Sequence, residues 1–170
     1  MRPVHRLVAS VAGIAVALAP ALMLPTTTAP AAGTPDLKAA GPTMAPLRGT
    51  LRRCDFSSTG TIATGYGSGY SVITSTGNTV IADVHIQNAS ANTAFIVRLI
   101  QLPRTGIRCA AGDPGTTVGT MYTNAGKIGD IRLEGPLMPG ATNAFVLVEG
   151  PPGQSVPSGE FYSSDFAPKI

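Results

Sequence analysis

The chain has 170 residues, of which twelve are Lys or Arg and nine are Asp or Glu, and it contains no Trp. Its longest basic run is Arg52-Arg53, so it lacks the clustered positive charge that nucleic acids and anionic membrane surfaces require of a partner. A chain of this length forms one domain with a real core and is too short for us to expect two.

The first 31 residues have the features of a secretory signal peptide. Arg2 and Arg6 form a basic head, an uncharged run extends from Leu7 to Leu24, and Ala29-Pro30-Ala31 offers small residues for cleavage. We therefore predict export, with cleavage near Ala31, and a secreted or cell-envelope location. The alternative is an anchor that is never cleaved, because a run of about 18 apolar residues is near the shortest that spans a bilayer.

Residues 32–49 are rich in Pro, Ala and Gly and show no apolar periodicity. Such a segment cannot bury enough apolar surface to offset the entropy lost when it becomes ordered. We predict a flexible leader here and a folded domain at residues 50–170. Without the signal peptide, ten Lys and Arg face nine Asp and Glu, so the mature chain is almost neutral.

Strand signals begin at Thr50 and continue to the end of the chain. The clearest lie in residues 79–101, where a first strand places apolar residues at every second position: Val80, Ala82, Val84 and Ile86. After a polar break, residues 95–101 are apolar on both faces, which is typical of a central strand. The other predicted strands are 50–56, 61–75, 116–123, 127–133, 143–149 and 160–166, with a turn at 57–60 and a long loop at 103–115.

This pattern amounts to seven or eight short strands and no convincing helix in the mature chain. Short strands with turns at this spacing bury their apolar faces best as two antiparallel sheets packed together. We predict an all-β sandwich of the immunoglobulin-like kind. The alternative is a closed antiparallel barrel, because closure also removes the unprotected edges of a sheet.

The two cysteines, Cys54 and Cys109, belong to a chain that we expect in an oxidising compartment. A disulfide between them is the default prediction. A metal site is the competing interpretation, but it needs more ligands than two cysteines and the one histidine of the mature chain supply. We therefore predict neither a metal nor a cofactor.

His85 is that single histidine, and it shares the outward face of its strand with Asp83 and Gln87. A carboxylate two residues away could orient the imidazole as a general base. Nucleophilic catalysis also needs an activated Ser or Cys, and no spacing identifies one. We predict no catalytic residue and a histidine that is solvent-facing or paired across strands. A small hydrolase built from Asp83, His85 and a serine of another strand is the alternative.

Residues 65–70 (GYGSGY) superficially resemble a nucleotide-binding loop. Phosphate binding needs such glycines to begin a helix, whereas the chain continues as a strand, so we interpret them as a bulge or bend. Tyr66 and Tyr70 lie four residues apart and would share one face of an extended chain. These two rings and His85 are the candidate ligand contacts, for a sugar or a peptide.

Several features together resemble small secreted proteins of actinobacteria, mycobacteria included. They are the signal peptide, the Ala/Pro leader, Cys54 and Cys109, strand 95–101 (FIVRLIQ) and hairpin 123–129 (TNAGKIG). The resemblance covers roughly residues 50–170 and implies an immunoglobulin-like sandwich. Because no function is assigned to those proteins, it carries over no functional residue.

The sequence thus favours a secreted, non-enzymatic β-sandwich that acts as a surface binding or structural module. Its partner would belong to the cell envelope or the extracellular space. Besides the hydrolase, a carrier of an apolar ligand is an alternative, and that function would require a cavity of a few hundred Å³ between the sheets.

Overall fold

A computed structural model describes residues 40–63, 65–151 and 159–170. These ranges contain ten β-strands and no helix. The strands are β1 (Thr43–Arg48), β2 (Thr50–Arg52), β3 (Ser58–Ile62), β4 (Ser68–Ser75), β5 (Thr79–Gln87), β6 (Ala94–Leu102), β7 (Thr116–Tyr122), β8 (Gly129–Pro136), β9 (Asn143–Glu149) and β10 (Phe161–Ser164). The predicted signal peptide lies outside the described residues.

Eight of the strands form one antiparallel sheet in the order β7-β6-β9-β10-β1-β4-β5-β8. Its two outermost strands, β7 and β8, follow each other in the chain and lie side by side, with Leu133 packed against Gly119. The sheet therefore curls back on itself into a nearly closed barrel. The prediction of an antiparallel all-β fold is confirmed, and the two layers that the sequence suggests are halves of one continuous sheet.

Mainly apolar side chains fill the inside of the barrel. The inward face of β5 is the alternating apolar set that the sequence predicts, and its four residues are buried. The inward residues of β6, β9, β7 and β8 pack against them: Phe95, Val97, Leu99, Ala144, Val146, Val148, Met121 and Leu133. Because this interior is occupied, the polar groups of the same strands are directed to the outer surface.

A second, smaller core lies on the outer surface of the barrel. The hairpin of β2 and β3 covers outward residues of β6 and β9, with Leu51 and Phe56 packed on Ile100 and Phe145. The rings of Phe56 and Phe145 meet edge to face, with centroids 5.1 Å apart. This cover explains why β6 and β9 are apolar on both faces although both belong to a sheet with a solvent side.

The predicted flexible leader is wrong for residues 43–48, which form β1 in the middle of the large sheet. The inward residues Ala45 and Leu47 are buried, and β1 pairs with β4 on one side and with β10 on the other. Pro46 weakens the sequence signal because proline cannot donate to a ladder. Pairing with β10 covers only Leu47 and Arg48, and the Pro46 carbonyl accepts a hydrogen bond from Asp165. The folded domain therefore starts before residue 50.

The predicted bounds between residues 50 and 75 also need correction. The expected strand 50–56 ends at Arg52, and residues 53–56 form a turn closed by a hydrogen bond from the Phe56 amide to the Arg53 carbonyl. The expected turn at 57–60 overlaps the start of β3, and the expected long strand 61–75 corresponds to the end of β3, at Ile62, and to β4, which begins at Ser68. The hydroxyl of Thr59 donates a hydrogen bond to the Leu51 carbonyl across the β2–β3 hairpin, between residues 8 positions apart. This hydrogen bond favours a start of β3 before residue 61. The other predicted strands agree with the structure apart from their end residues.

Candidate functional site

The predicted disulfide is confirmed. The Sγ atoms of Cys54 and Cys109 lie 2.02 Å apart, and the Cα atoms 5.7 Å apart. The bridge joins the turn after β2 to the loop between β6 and β7. Oxidised cysteines are not thiolate ligands. Within the described ranges, no three His, Cys, Asp or Glu side chains come close enough to hold a metal ion.

His85 lies on the outer surface in a row that crosses three strands. Antiparallel pairing sets it opposite Tyr70 of β4 and opposite Asp130 of β8. Its Nδ1 lies 2.6 Å from Asp130 Oδ1, and its ring centroid is 5.3 Å from that of Tyr70. The imidazole is thus paired across strands, one of the two arrangements that the sequence predicts for it.

Asp83, the carboxylate that the sequence places beside His85, has a different partner. Both of its oxygens accept hydrogen bonds from Arg132 Nη1, at 3.1 Å each. The proposed Asp83–His85 pair is therefore replaced by two cross-strand pairs, Asp83 with Arg132 and His85 with Asp130. The sequence could not reveal them because they depend on the register between β5 and β8, which are about 45 residues apart.

These two cross-strand pairs and the Tyr70 ring border a shallow depression of ≈ 360 Å³ on the outer surface. Its lining combines an aromatic ring, the Asp83–Arg132 ion pair, the His85–Asp130 hydrogen bond and two apolar residues: Tyr70, Asp83, Val84, His85, Asp130, Ile131 and Arg132. None of the described residues that line it is a serine or a cysteine. The arrangement can stack against a planar group and exchange hydrogen bonds with it.

Tyr66 and Tyr70, expected to share one face of a strand, are separated in the structure. Tyr70 belongs to β4 and is 39% exposed, whereas Tyr66 precedes β4 and is 96% exposed. Only Tyr70 lines the depression beside His85. The structure therefore brings together two of the three candidate ligand contacts, and ligand binding by any of them stays a prediction.

The glycines before β4 are explained by a buried tyrosine of β10. The Tyr162 hydroxyl accepts a hydrogen bond of 3.0 Å from the Gly67 amide and donates one to Glu160. A Cβ atom added to Gly67 would lie 2.1 Å from the Tyr162 hydroxyl oxygen, and one added to Gly65 would lie 2.7 Å from Glu160 Cγ. The close approach of Tyr162 and Glu160 therefore explains Gly65 and Gly67, and phosphate binding is not needed to explain them.

Burial raises the pKa of Tyr162 above its ordinary value, and the hydrogen bond to Glu160 and the charge of this carboxylate raise it further. The amide of Gly67 acts in the opposite direction. Glu160 also accepts a hydrogen bond of 3.0 Å from the Ser90 amide. Tyr162 and Glu160 thus join β10 to the segment before β4 and to the turn after β5.

A second depression, of ≈ 410 Å³, lies beside the disulfide on the outside of the barrel. Four arginines and one glutamate line it: Arg52, Arg53, Arg98, Arg108 and Glu149. We call these four arginines the arginine cluster. Arg53 and Arg108 each directly precede a bridged cysteine, so the disulfide that joins their neighbours brings them together. The sequence gives no signal for this cluster because Arg98 and Arg108 lie far along the chain from Arg52 and Arg53.

An apolar groove of ≈ 550 Å³ lies at one end of the barrel, between the β4–β5 turn and the segment 137–142. Leu137, Met138 and Pro139 supply its apolar lining. It is a surface groove lined by connecting segments, which differs from the cavity between sheets that the carrier hypothesis requires.

Comparisons of the chain with protein-family models, with curated proteins and with solved structures find no match. Among the residues that the structure describes, no helix has the length and apolar character needed to cross a membrane.

Proposed function

We propose that this chain is an exported, non-enzymatic binding module that acts through the outer surface of its barrel. One observation carries the proposal: the side chains capable of recognition lie in depressions on the outside, while mainly apolar residues fill the inside. The His85 imidazole is held by Asp130 beside a lining without a described serine or cysteine. This arrangement favours recognition over covalent chemistry.

Export is part of the proposal. The features of residues 1–31 support it, and a disulfide is compatible with an oxidising, extracellular location. Membership of an immunoglobulin-like group of small secreted actinobacterial proteins is proposed on the resemblance alone. The partner would be a component of the cell envelope or of the extracellular space.

Co-sedimentation with isolated cell-envelope material of the producing organism tests the proposal. We expect the oxidised protein to be retained saturably, and the variant His85→Ala to be retained with an affinity within about fivefold. The reason is that the variant loses at most one contact of a partly exposed side chain with the partner, and an exposed ionic contact contributes about 0.2–1 kcal/mol. The same variant should change the free energy of unfolding by less than about 1 kcal/mol.

The control is Asp130→Ala, which removes the same pair from the other side and should behave like His85→Ala. Hydrolysis of activated esters is measured in parallel on all three proteins. Ester turnover that folded His85→Ala loses would contradict a non-enzymatic role and favour the hydrolase alternative, now with Asp130 as the carboxylate that orients His85. An absence of saturable retention would contradict the binding role itself.

A further inference from the structure

Two members of the arginine cluster have side chains without a partner among the described residues. Asp83 is paired with Arg132 and Asp130 with His85, whereas within the described ranges the side chains of Arg53 and Arg108 form no hydrogen bond or ion pair. Both arginines are exposed. The guanidinium groups of Arg53 and Arg108 therefore face solvent beside the disulfide, and their N–H donors are available to a ligand.

The other two members of the cluster have structural roles that fix their positions. Arg52 donates hydrogen bonds of 3.1 Å to the carbonyls of Phe56 and Asp165, and its guanidinium carbon lies 3.9 Å above the Phe56 ring. Arg98 forms an ion pair with Glu149, and both side chains are about one-third exposed or less. The base of the depression is thus preorganised, whereas its rim is free to bind.

The charge balance of the depression is positive. Its lining contains four arginines and one acid, Glu149. Two more carboxylates lie nearby: Asp55, which accepts hydrogen bonds from Ser57, and Asp113, which accepts one from the Ala110 amide. Hydrogen bonds from the Ser57 hydroxyl and amide lower the pKa of Asp55, so it stays ionised and partly offsets the positive charge of Arg53.

We propose that the arginine cluster binds a ligand that carries neighbouring oxyanion groups, either phosphates or carboxylates. The planar donors of arginine match both groups in pairs of parallel hydrogen bonds. The depression is open to solvent and lined by all four arginines, so a ligand with more than one oxyanion group can reach several of them at once. This inference names the ligand of the proposed binding module and rests on that proposed function.

Inorganic pyrophosphate and citrate are the probes, one for each oxyanion. They are titrated separately into the oxidised protein at low ionic strength, and backbone amide shifts are followed by NMR. We expect saturable shifts around Arg53, Arg98 and Arg108, and weaker binding in 0.3 M salt because exposed charges are screened. The tighter of the two probes identifies the preferred oxyanion.

The double variant Arg53→Ala with Arg108→Ala should bind about tenfold more weakly or worse, because charge-assisted hydrogen bonds contribute about that factor each when well formed. The matched control is Lys127→Ala with Lys169→Ala, which removes two exposed positive charges that line neither depression. Its affinity should change less than about twofold. Thermal unfolding of both proteins shows whether each variant is folded.

Glu149→Gln supplies a second variant with the opposite expected effect. Removing the acid frees Arg98 for the ligand, so affinity should rise by about two- to threefold. No saturable shift with either probe at about 10 mM, an equal loss in the two double variants, or weaker binding by Glu149→Gln would overturn the proposal.

The two proposals fail in distinguishable ways. If neither probe binds but envelope material still retains the protein, the oxyanion site is wrong and the binding module stands. If the probes bind through Arg53 and Arg108 but envelope material does not retain the protein, the envelope function is wrong and the oxyanion site stands.

Discussion

Tyr162 is 1% exposed, and its hydroxyl group lies under a segment that must contain glycine. The side chain comes from β10, whereas Gly65 and Gly67 precede β4, so the contact joins parts of the chain about 95 residues apart. An aromatic ring with a buried hydroxyl group needs a hydrogen-bond partner, and Glu160 and the Gly67 amide supply both an acceptor and a donor.

Gly67→Ala should lower the free energy of unfolding by about 1–3 kcal/mol, because the new methyl group would overlap the Tyr162 hydroxyl. Denaturant unfolding measures the change. Gly41→Ala is the matched control, since its added Cβ meets no atom within 4 Å, and it should be neutral or slightly stabilising. Equal stability of the two variants would contradict the close approach of Tyr162.

Tyr162 should also make the protein sensitive to alkali. Its pKa is raised on folding, first by burial and then by Glu160, so the folded state holds the phenolic proton more tightly than the unfolded state. This contribution is complete below the ordinary pKa of 10.0 and is lost as the pH rises above that value. The loss can reach about 1.4 kcal/mol per pH unit.

In the variant Tyr162→Phe, the side chain has no phenolic proton to lose. The difference in the free energy of unfolding between the native protein and this variant should therefore shrink from pH 9 to pH 11, as measured by urea unfolding at each pH. A constant difference over this range would contradict the raised pKa.

At the scale of elements, the β2–β3 hairpin depends on the disulfide to hold it against the barrel. It pairs with no strand of that sheet and rests on a small core beside the disulfide. The bridge spans 55 residues, and loop entropy predicts a contribution of about 4 kcal/mol to stability. Cys54→Ala with Cys109→Ala should therefore lose a large part of the stability measured in guanidinium.

The resulting loss of protection against hydrogen exchange should differ between strands. In native-state hydrogen exchange of this double variant, amides of β2 and β3 should lose protection before those of β5, which is paired on both sides. A stability change below about 1 kcal/mol, or uniform loss of protection, would show that the outer core holds the hairpin without the bridge.

Some strands are easier to recognise from the sequence than others. Strands β5, β6 and β9 were predictable because their buried residues form continuous alternating or fully apolar sets. β1 was missed because only Ala45 and Leu47 point inward, a pattern too short and too weakly apolar to recognise beside Pro46. Local periodicity thus identifies strands with a sustained apolar set and misses β1, whose buried apolar set has only two residues.

The site was less predictable than the fold, for a different reason. The disulfide followed from the presence of two cysteines alone. The His85–Asp130 pair, the contact of Tyr162 with Gly67 and the meeting of Arg53 with Arg108 all depend on which distant segments become neighbours. Sequence spacing carries no signal for such contacts, so only the three-dimensional arrangement identifies them.

For the molecule as a whole, the barrel joins its first described strand to its last. Leu47 of β1 pairs with Ser164 of β10, 117 positions further along, while the opposite side of β1 pairs with β4. A chain emerging from the ribosome can therefore pair β1 only with β4 until residues 161–164 have been made. Folding that waits for such distant pairing is slow. The polypeptide should accordingly remain threadable through a translocation channel during its synthesis.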